Sequence, residues 1–368
     1  MKNTLGTNVA VTIFGESHGA AVGAVVDGLA PGIPVDEAFI GHQLSLRRPW
    51  GNISTARVEP DRFELLSGVF EGRTTGTPLC VVIPNTDTKS RDYAATRALA
   101  RPGHADFAAY AKYHGFEDYR GGGHFSGRVT AALVAAGAVA LTALRGRGVR
   151  IGTHIARCGG VSDAAFSGDL DADIASLNEK LFAVLDEAKG EAMRAAIAAA
   201  AADGDSVGGV LETVVTGLPA GVGEPWFDTL EGLLAHALFS VPAVKGVEFG
   251  DGFDMADARG SAYNDSFYMD GGTVKTRTNH NGGVNGGISN GMPLRVRCMV
   301  KPTPSIFKEQ QTVDFLRGED AALSLKGRHD PAIVHRARVV VDSVTALVLC
   351  DALAGRFGTD WLGGNGEA

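Results

Sequence analysis

The chain has no pair of cysteines near one another. Cys80, Cys158, Cys298 and Cys350 are scattered with no C-x-x-C between them. That argues against a zinc site or a disulfide framework and fits thiols kept reduced in the cytosol. There is no H-E-x-x-H and no G-x-x-x-x-G-K-[ST], which removes zincin and P-loop chemistry. A long apolar run is missing too. The longest, Ala131 to Leu144, has about fourteen residues, and a membrane-spanning helix needs ~20. The opening "MKNTLGTNVAVTIFGESHG" has one Lys and an apolar stretch broken by Gly15 and Glu16, unlike a signal peptide. A cytoplasmic protein with no membrane segment is expected. Lysine is scarce, with 10 Lys against 24 Arg, and the net charge is −8. An acidic balance argues against nucleic acid as the partner.

What is abundant is glycine and arginine. Gly accounts for 50 of 368 residues, about twice the usual ~7 %, in clusters between apolar runs and without a period of three. Such clusters suit loops that approach a ligand closely. Ten of the arginines fall between Arg47 and Arg128. The guanidinium fork matches carboxylate and phosphate oxygens, so a local basic pocket for a small anion is one reading. Scattered surface ion pairs are the other.

The pattern of elements is mixed. Residues 8–15, 21–29, 63–70 and 77–85 read as strands, and 36–48 as a helix capped by Asp36. Residues 87–128 are polar, Gly-, Arg- and His-rich loops, a long irregular stretch of the kind that carries function. A helix is expected over 128–144, opening near Ser126, and one or two surface helices over 174–202. Further strands are read at 207–219, 243–249 and 294–300, with a helix at 227–239, a Gly–Asn loop at 279–291 and a C-terminal helix at 339–357. The order lacks a βαβα rhythm, so the expected class is α+β. No linker or clean boundary appears, so 1–368 is read as a single domain with a loose tail from about 358.

Several segments carry polar groups suited to chemistry. "GGGHFSGR" (121–128) brings bare backbone N–H groups to a helix start, where an anion is favoured. The segment before it is not an apolar strand, so the dinucleotide fingerprint fails. A glycine turn entering a structural helix is the alternative. His18 sits in "FGESHG" and His104 in "RPGHAD", where Asp106 is placed to orient its ring. Each is either a general acid–base or a polar bystander. "KPTPSI" (301–306) and "KGRHDPA" (326–332) are polar loops of similar composition.

Taken in order, "TIFGESHG", "RPGHADF", "YRGGG" with "SGR", "AVKGVEFGDGF", "NHNGGVNGGISNG", "KPTPSI" and "GRHDP" closely resemble chorismate synthase, from about residue 5 to residue 355. The resemblance implies a sandwich of two antiparallel β-sheets flanked by α-helices, assembled as a homotetramer. It implies a carbon–oxygen lyase at the last common step of the shikimate pathway and aromatic amino acid biosynthesis. There 5-enolpyruvylshikimate 3-phosphate loses phosphate by anti-1,4-elimination to give chorismate. Reduced FMN is required, lending an electron that expels phosphate and recovering it as the C6 hydrogen leaves. NADPH or a separate flavin reductase is the implied source of reduction.

Residue by residue, His18 matches the histidine that protonates the departing phosphate, and His104 the one beside the flavin. Asp330 matches the aspartate that assists proton removal. Arg48 and Arg128 match substrate-binding arginines, with Arg47 as a candidate third. FMN contacts map to His124, Phe125, Ser126, Pro242, Ala243, Gly286, Lys301, Pro302, Thr303, Pro304, Ser305 and Arg328. The chain departs from the family at His124 and Phe125, where many members read Arg and Ser, and at Trp50 and Pro304. A family arginine attributed to NADP contact is absent near Asn52. A flavin-binding protein without the lyase step and an NADPH-dependent oxidoreductase are the competing readings.

Overall fold

Short apolar runs separated by glycine turns fold as antiparallel strands, and they do so twice in this chain. In the computed structural model, which describes residues 2–54, 60–86, 97–325 and 329–364, β1 (Thr4–Leu5), β2 (Ala10–Gly15) and β3 (Ala21–Asp27) come first. Helix α1 (Glu37–Arg47) follows, and the Asp36 carboxylate caps it by accepting from the Ala38 and Phe39 N–H groups. Next come β4 (Glu64–Ser67), the β5–β6 hairpin (Val69–Phe70 and Arg73–Thr74) and β7 (Leu79–Pro84). The first sheet has the order β1-β2-β3-β7-β4, each neighbouring pair antiparallel. The single strand expected over 63–70 breaks at Gly68. That residue has φ +80°, and a Cβ there would lie 2.4 Å from Leu79 Cα.

Helices α2 (Asp106–Tyr113) and α3 (Thr130–Gly146) lead into β8 (Arg150–Cys158) and β9 (Val161–Ser162). The 174–202 region forms two helices, α4 (Leu170–Glu179) and α5 (Glu187–Ala202). Strand β10 (Gly209–Thr216), α6 (Leu230–Leu238) and β11 (Val244–Phe249) follow, then α7 (Gly260–Tyr263). Two hairpins, β12–β13 (Phe267–Asp270, Thr273–Thr276) and β14–β15 (Val284–Asn285, Ile288–Ser289), precede β16 (Leu294–Val300). The second sheet runs β11-β16-β10-β8-β9, also antiparallel. A last hairpin, β17–β18 (Gln310–Asp314, Glu319–Leu323), leads to α8 (Val334–Phe357) and α9 (Thr359–Leu362). The α+β class and the two antiparallel sheets are as expected.

The helices α3 and α8 form a layer between the sheets. α3 packs on β3 and β7, α8 on β8 and β10, and the two pack on one another. A helix apolar on every face belongs in a core, and nearly all of α3 is buried. The two run in the same sense. Gly137 faces Ser343, the Ala140 carbonyl accepts from Cys350 Sγ at 3.7 Å, and Arg147 beyond α3 stacks on Trp361 beyond α8 at 4.2 Å. The helices α4 and α5 cover the other face of the second sheet. Adjacent residues of β8 show the two-sidedness: a Cβ on Gly152 would meet Ile174 Cγ1 of α4 at 2.8 Å, whereas Thr153 Oγ1 donates to Asp342 Oδ1 of α8 at 2.6 Å.

Two expectations need correction. With its leading turn, the Ala-rich segment is helical over Gly127–Gly146, 20 residues of mean hydropathy 1.7, long and apolar enough to cross a membrane by those measures alone. Yet 89 % of its most apolar window is buried inside the protein, so it serves as the core helix. The tail from about 358 is not loose at its start. α9 docks with Trp361 and Leu362 buried, and Trp361 stacks on Phe357 at 5.1 Å.

At Gly137 a Cβ would sit 2.3 Å from Ser343 Cβ and 2.6 Å from its Cα, so the two core helices must separate to admit any side chain. Gly137→Val should therefore destabilise the protein by ~3 kcal/mol or more through overpacking. A denaturant midpoint equal to that of the parent would show that the layer has slack.

Candidate active site

Both core helices begin at the same end of the sandwich, and α1 ends there. The Arg336 Nε, in the first turn of α8, donates to the Arg47 carbonyl at 2.9 Å. Arg47 Nη1 in turn donates to the Gly127 carbonyl, just before α3, at 3.4 Å. Arg47, Arg48 and Arg128 meet at one carboxylate, Asp61. Arg47 Nη2 donates to Asp61 Oδ2 at 3.1 Å, Arg128 Nη1 donates to Oδ1, and Arg48 Nε stands 4.0 Å from Oδ2. Arg48 also donates to the Pro60 carbonyl. Burial would raise the Asp61 carboxyl, but Arg47 and Arg128 outweigh it and hold it below the usual carboxylate range. Burial, then neighbouring cations, push the Arg47 guanidinium down to about 10, with Asp61 opposing.

The glycine triplet builds the wall beside His18. Gly121, Gly122 and Gly123 have φ of +60°, +87° and +52°, a run that L side chains do not follow. A Cβ on Gly121 would lie 2.2 Å from His18 Cε1, and one on Gly123 2.0 Å from the Asp118 carbonyl. The loop is laced to the β2–β3 turn: Ser17 N–H donates to the Gly123 carbonyl at 3.0 Å, and His124 Nδ1 bonds the Gly15 carbonyl at 2.8 Å. His18 is buried, its Nδ1 3.2 Å from Ser17 Oγ. Asn85 joins this turn to the arginines. Its Nδ2 donates to the Glu16 and Gly19 carbonyls, both at 2.9 Å, and its Oδ1 accepts from Arg128 Nε at 2.9 Å. Ser126 Oγ accepts from the Arg128 N–H at 3.3 Å, and Phe125 is exposed with its ring edge on Tyr113.

His104 lies where two loops distant in sequence meet. Its Nε2 is 2.6 Å from Ser305 Oγ, and Lys301 Nζ donates to the Gly103 carbonyl at 2.6 Å. A Cβ on Gly103 would fall 2.8 Å from Pro304 Cβ. Asp106 does not orient the ring as expected. It is taken by Arg101 in a bidentate pair at 2.8 and 2.7 Å, because a guanidinium offers two parallel donors where an imidazole offers one. Burial, with Arg101 beside it, lowers the His104 pKa to about 4. His329 is near enough to add to that effect, and its own neighbour Asp330 accepts from Arg336 Nη1 at 2.6 Å.

The polar groups thus form one chain through the site, Asp330, Arg336, Arg47, Asp61, Arg128, Asn85 and the His18 turn, and His104 with Ser305 lies near its His329 end. Pro242 and Ala243 adjoin it, since Lys301 N–H donates to the Ala243 carbonyl at 2.9 Å and Ala243 holds φ +74°. Gly286 is in the exposed turn of β14–β15, a hairpin whose described contacts include Thr229, Leu230, Val222 and Pro219. Arg328 lies outside the described residues. Sequence reasoning missed Asp61, Asn85 and Arg336. The only signal was weak: a lone Asp after Pro60, an Asn closing the β7 run, and an Arg three residues before the expected C-terminal helix.

The fold is of the α+β class, and this gathering of cations and histidines has the chemistry to receive a small polyanion. A family model described as chorismate synthase matches residues 9–354. The chorismate synthase of Aeropyrum pernix is 46 % identical over 352 residues, covering 96 % of this chain and 93 % of its own. That of Sulfurimonas denitrificans is 43 % identical over 362 residues, 98 % of each. A crystal structure of chorismate synthase superposes with a TM-score of 0.76 at 29 % identity, over 96 % of this chain and 94 % of that one. The chain belongs to the chorismate synthase family and is a carbon–oxygen lyase.

Two outcomes follow from this geometry. Gly121→Ala would drive a methyl into the His18 ring, and if that ring takes part in the chemistry a displacement of about 1 Å should cost about 100-fold in rate. Turnover near the parent value would show that the ring has room to yield. In the protein without ligands, His104 should titrate near about 4 by NMR, against an ordinary 6.5, and stay neutral from pH 8 down to about 5. A midpoint near the ordinary value would mean that water reaches the ring.

Proposed function

We propose that the site carries out the family's reaction, the anti-1,4-elimination of phosphate from 5-enolpyruvylshikimate 3-phosphate to give chorismate, with reduced FMN as the required cofactor. The observation that carries this reading is the run of polar groups from the His18 turn through the arginines to Asp330, with His104 beside its far end. It provides cations for a phosphate and carboxylates, with an acid–base group at each end.

Arg47, Arg48 and Arg128 bind the substrate's anionic groups. The helix N-termini of α3 and α8 add favourable dipoles at the same place. His18, pinned between Ser17 and Gly121, delivers a proton to the departing phosphate. Asp330, held by Arg336, helps remove the ring C6 proton. His104 is neutral in the ligand-free protein, and an anion brought against it would raise its pKa towards the protonated form.

The residues present fit a flavin phosphate cofactor. Thr303 Oγ1 and His329 Nε2 are buried without a partner among the described residues. Orphaned atoms of this kind cost about 1–3 kcal/mol each unless a ligand pairs them. His124, Phe125, Ser126, Pro242, Ala243, Lys301, Pro302, Thr303, Pro304 and Ser305 would hold FMN, with Gly286 and Arg328 as further contacts. When bound, reduced FMN supplies transient electron donation that eases departure of the allylic phosphate. We further read the chain as one domain of a cytoplasmic homotetramer, its flavin reduced by NADPH or by a separate flavin reductase. The continuous core shared by both sheets supports the single domain.

The test is an anaerobic assay with FMN kept reduced, in which equimolar chorismate and phosphate are expected. Folded protein that binds FMN tightly but releases no phosphate would instead be a flavin-binding protein without the lyase step. His18→Ala and His104→Ala should each lower turnover by about 10²- to 10⁴-fold, the range for a general acid or base. Near-parent rates in both would misplace the chemistry.

A further inference from the structure

We propose that Asp61 is a positioning residue for substrate capture, holding Arg47 and Arg128 at a fixed spacing so that the arginine cluster presents its charge to the substrate's anions. The inference rests on the reading of those arginines as substrate-binding.

Its grounds are geometric. The Asp61 side chain is 1 % exposed, and its two oxygens are divided between the guanidinium groups, Oδ1 to Arg128 and Oδ2 to Arg47. Its backbone is held at φ +47°, the left-handed region that Asp tolerates better than most residues but that still needs support from its surroundings. Arg47 and Arg48 each keep a buried Nε–H without a partner among the described residues, and the Arg47 side chain is only 9 % exposed. The carboxylate therefore satisfies part of the cluster and leaves buried donors directed elsewhere.

Charge bookkeeping sets up the alternative. Three arginines and one aspartate sum to +2, so removing the aspartate charge leaves +3. If Asp61 only moderated that charge, its loss would tighten binding of an anion. If it positions the arginines, its loss lets like charges in a low-dielectric site splay apart, and binding weakens despite the greater charge.

The two cases separate on Asp61→Asn, which keeps shape and removes charge. The expected result is a KM for 5-enolpyruvylshikimate 3-phosphate raised about tenfold or more, the scale of one charged hydrogen bond, with kcat changed much less. An unchanged or lowered KM in folded protein overturns the proposal. If that variant does not fold, the double variant Asp61→Asn with Arg47→Gln restores the parent's net charge. It should show a KM at least about threefold above that of Arg47→Gln alone, since Arg128 is still unmoored, and equal values overturn the proposal. Calorimetry with inorganic phosphate needs no turnover and separates this inference from the functional reading. Asp61→Asn should bind phosphate about tenfold more weakly than the parent; equal or tighter binding overturns the positioning role even in a protein that does not convert the substrate.

Discussion

The parallel contact of α3 on α8 is the constraint on which the rest depends. Both helices are buried on nearly every face, and at Gly137 the approach is too close for a Cβ. Because they run in the same sense, their N-termini fall together at one end of the sandwich. Ser126 and Arg128 enter one helix there, and Asp330 and Arg336 enter the other. An antiparallel pair would have put these groups at opposite ends of the protein. The small residues of α3, which look from composition like mere helix formers, are what allow two sheets to share a single helical layer.

A site so arranged gathers more cations than a buried region tolerates unaided. Burial opposes charge, as the lowered Arg47 shows, and neighbouring arginines oppose one another. The structure answers with anions and oxygens placed between them. Asp61 divides its carboxylate between two arginines, Asp330 pairs with Arg336, Asp106 with Arg101, and carbonyls of Pro84 and Gly127 accept from Arg128 and Arg47. Breaking such a pair strands a buried charge, which is costlier than the pair is stabilising. The compensating groups are consequently as much a part of the site as the arginines.

Sequence reasoning reached the parts that carry local signals. His18 and His104 stood out because each sits in a glycine turn, and the Asp36 cap and the β2 and β3 strands followed from pattern. The sheet orders were invisible, since antiparallel neighbours such as β16 and β11 are brought together by the fold and not by proximity in sequence. The start of α8 was read five residues late; His335, Arg336 and Arg338 are held inside the helix by tertiary pairing. Asp106 was assigned to the wrong partner because spacing alone does not say that a bidentate guanidinium competes for it. Asp61 gave no warning: its importance lies in what three separate segments do around it.

The departure at positions 124 and 125 can be read physically. A carbonyl oxygen only accepts, so the contact between His124 Nδ1 and the Gly15 carbonyl requires the proton on Nδ1. That bond forms with a neutral ring, so it ties the glycine loop to the end of β2 without needing a positive charge. An arginine at this position would bring a permanent cation on a longer, more flexible stem. The histidine provides a short rigid tie on the loop that shapes the His18 wall. Phe125 beside it turns outward onto Tyr113. The cations that bear on His104 are Arg101 and Lys301.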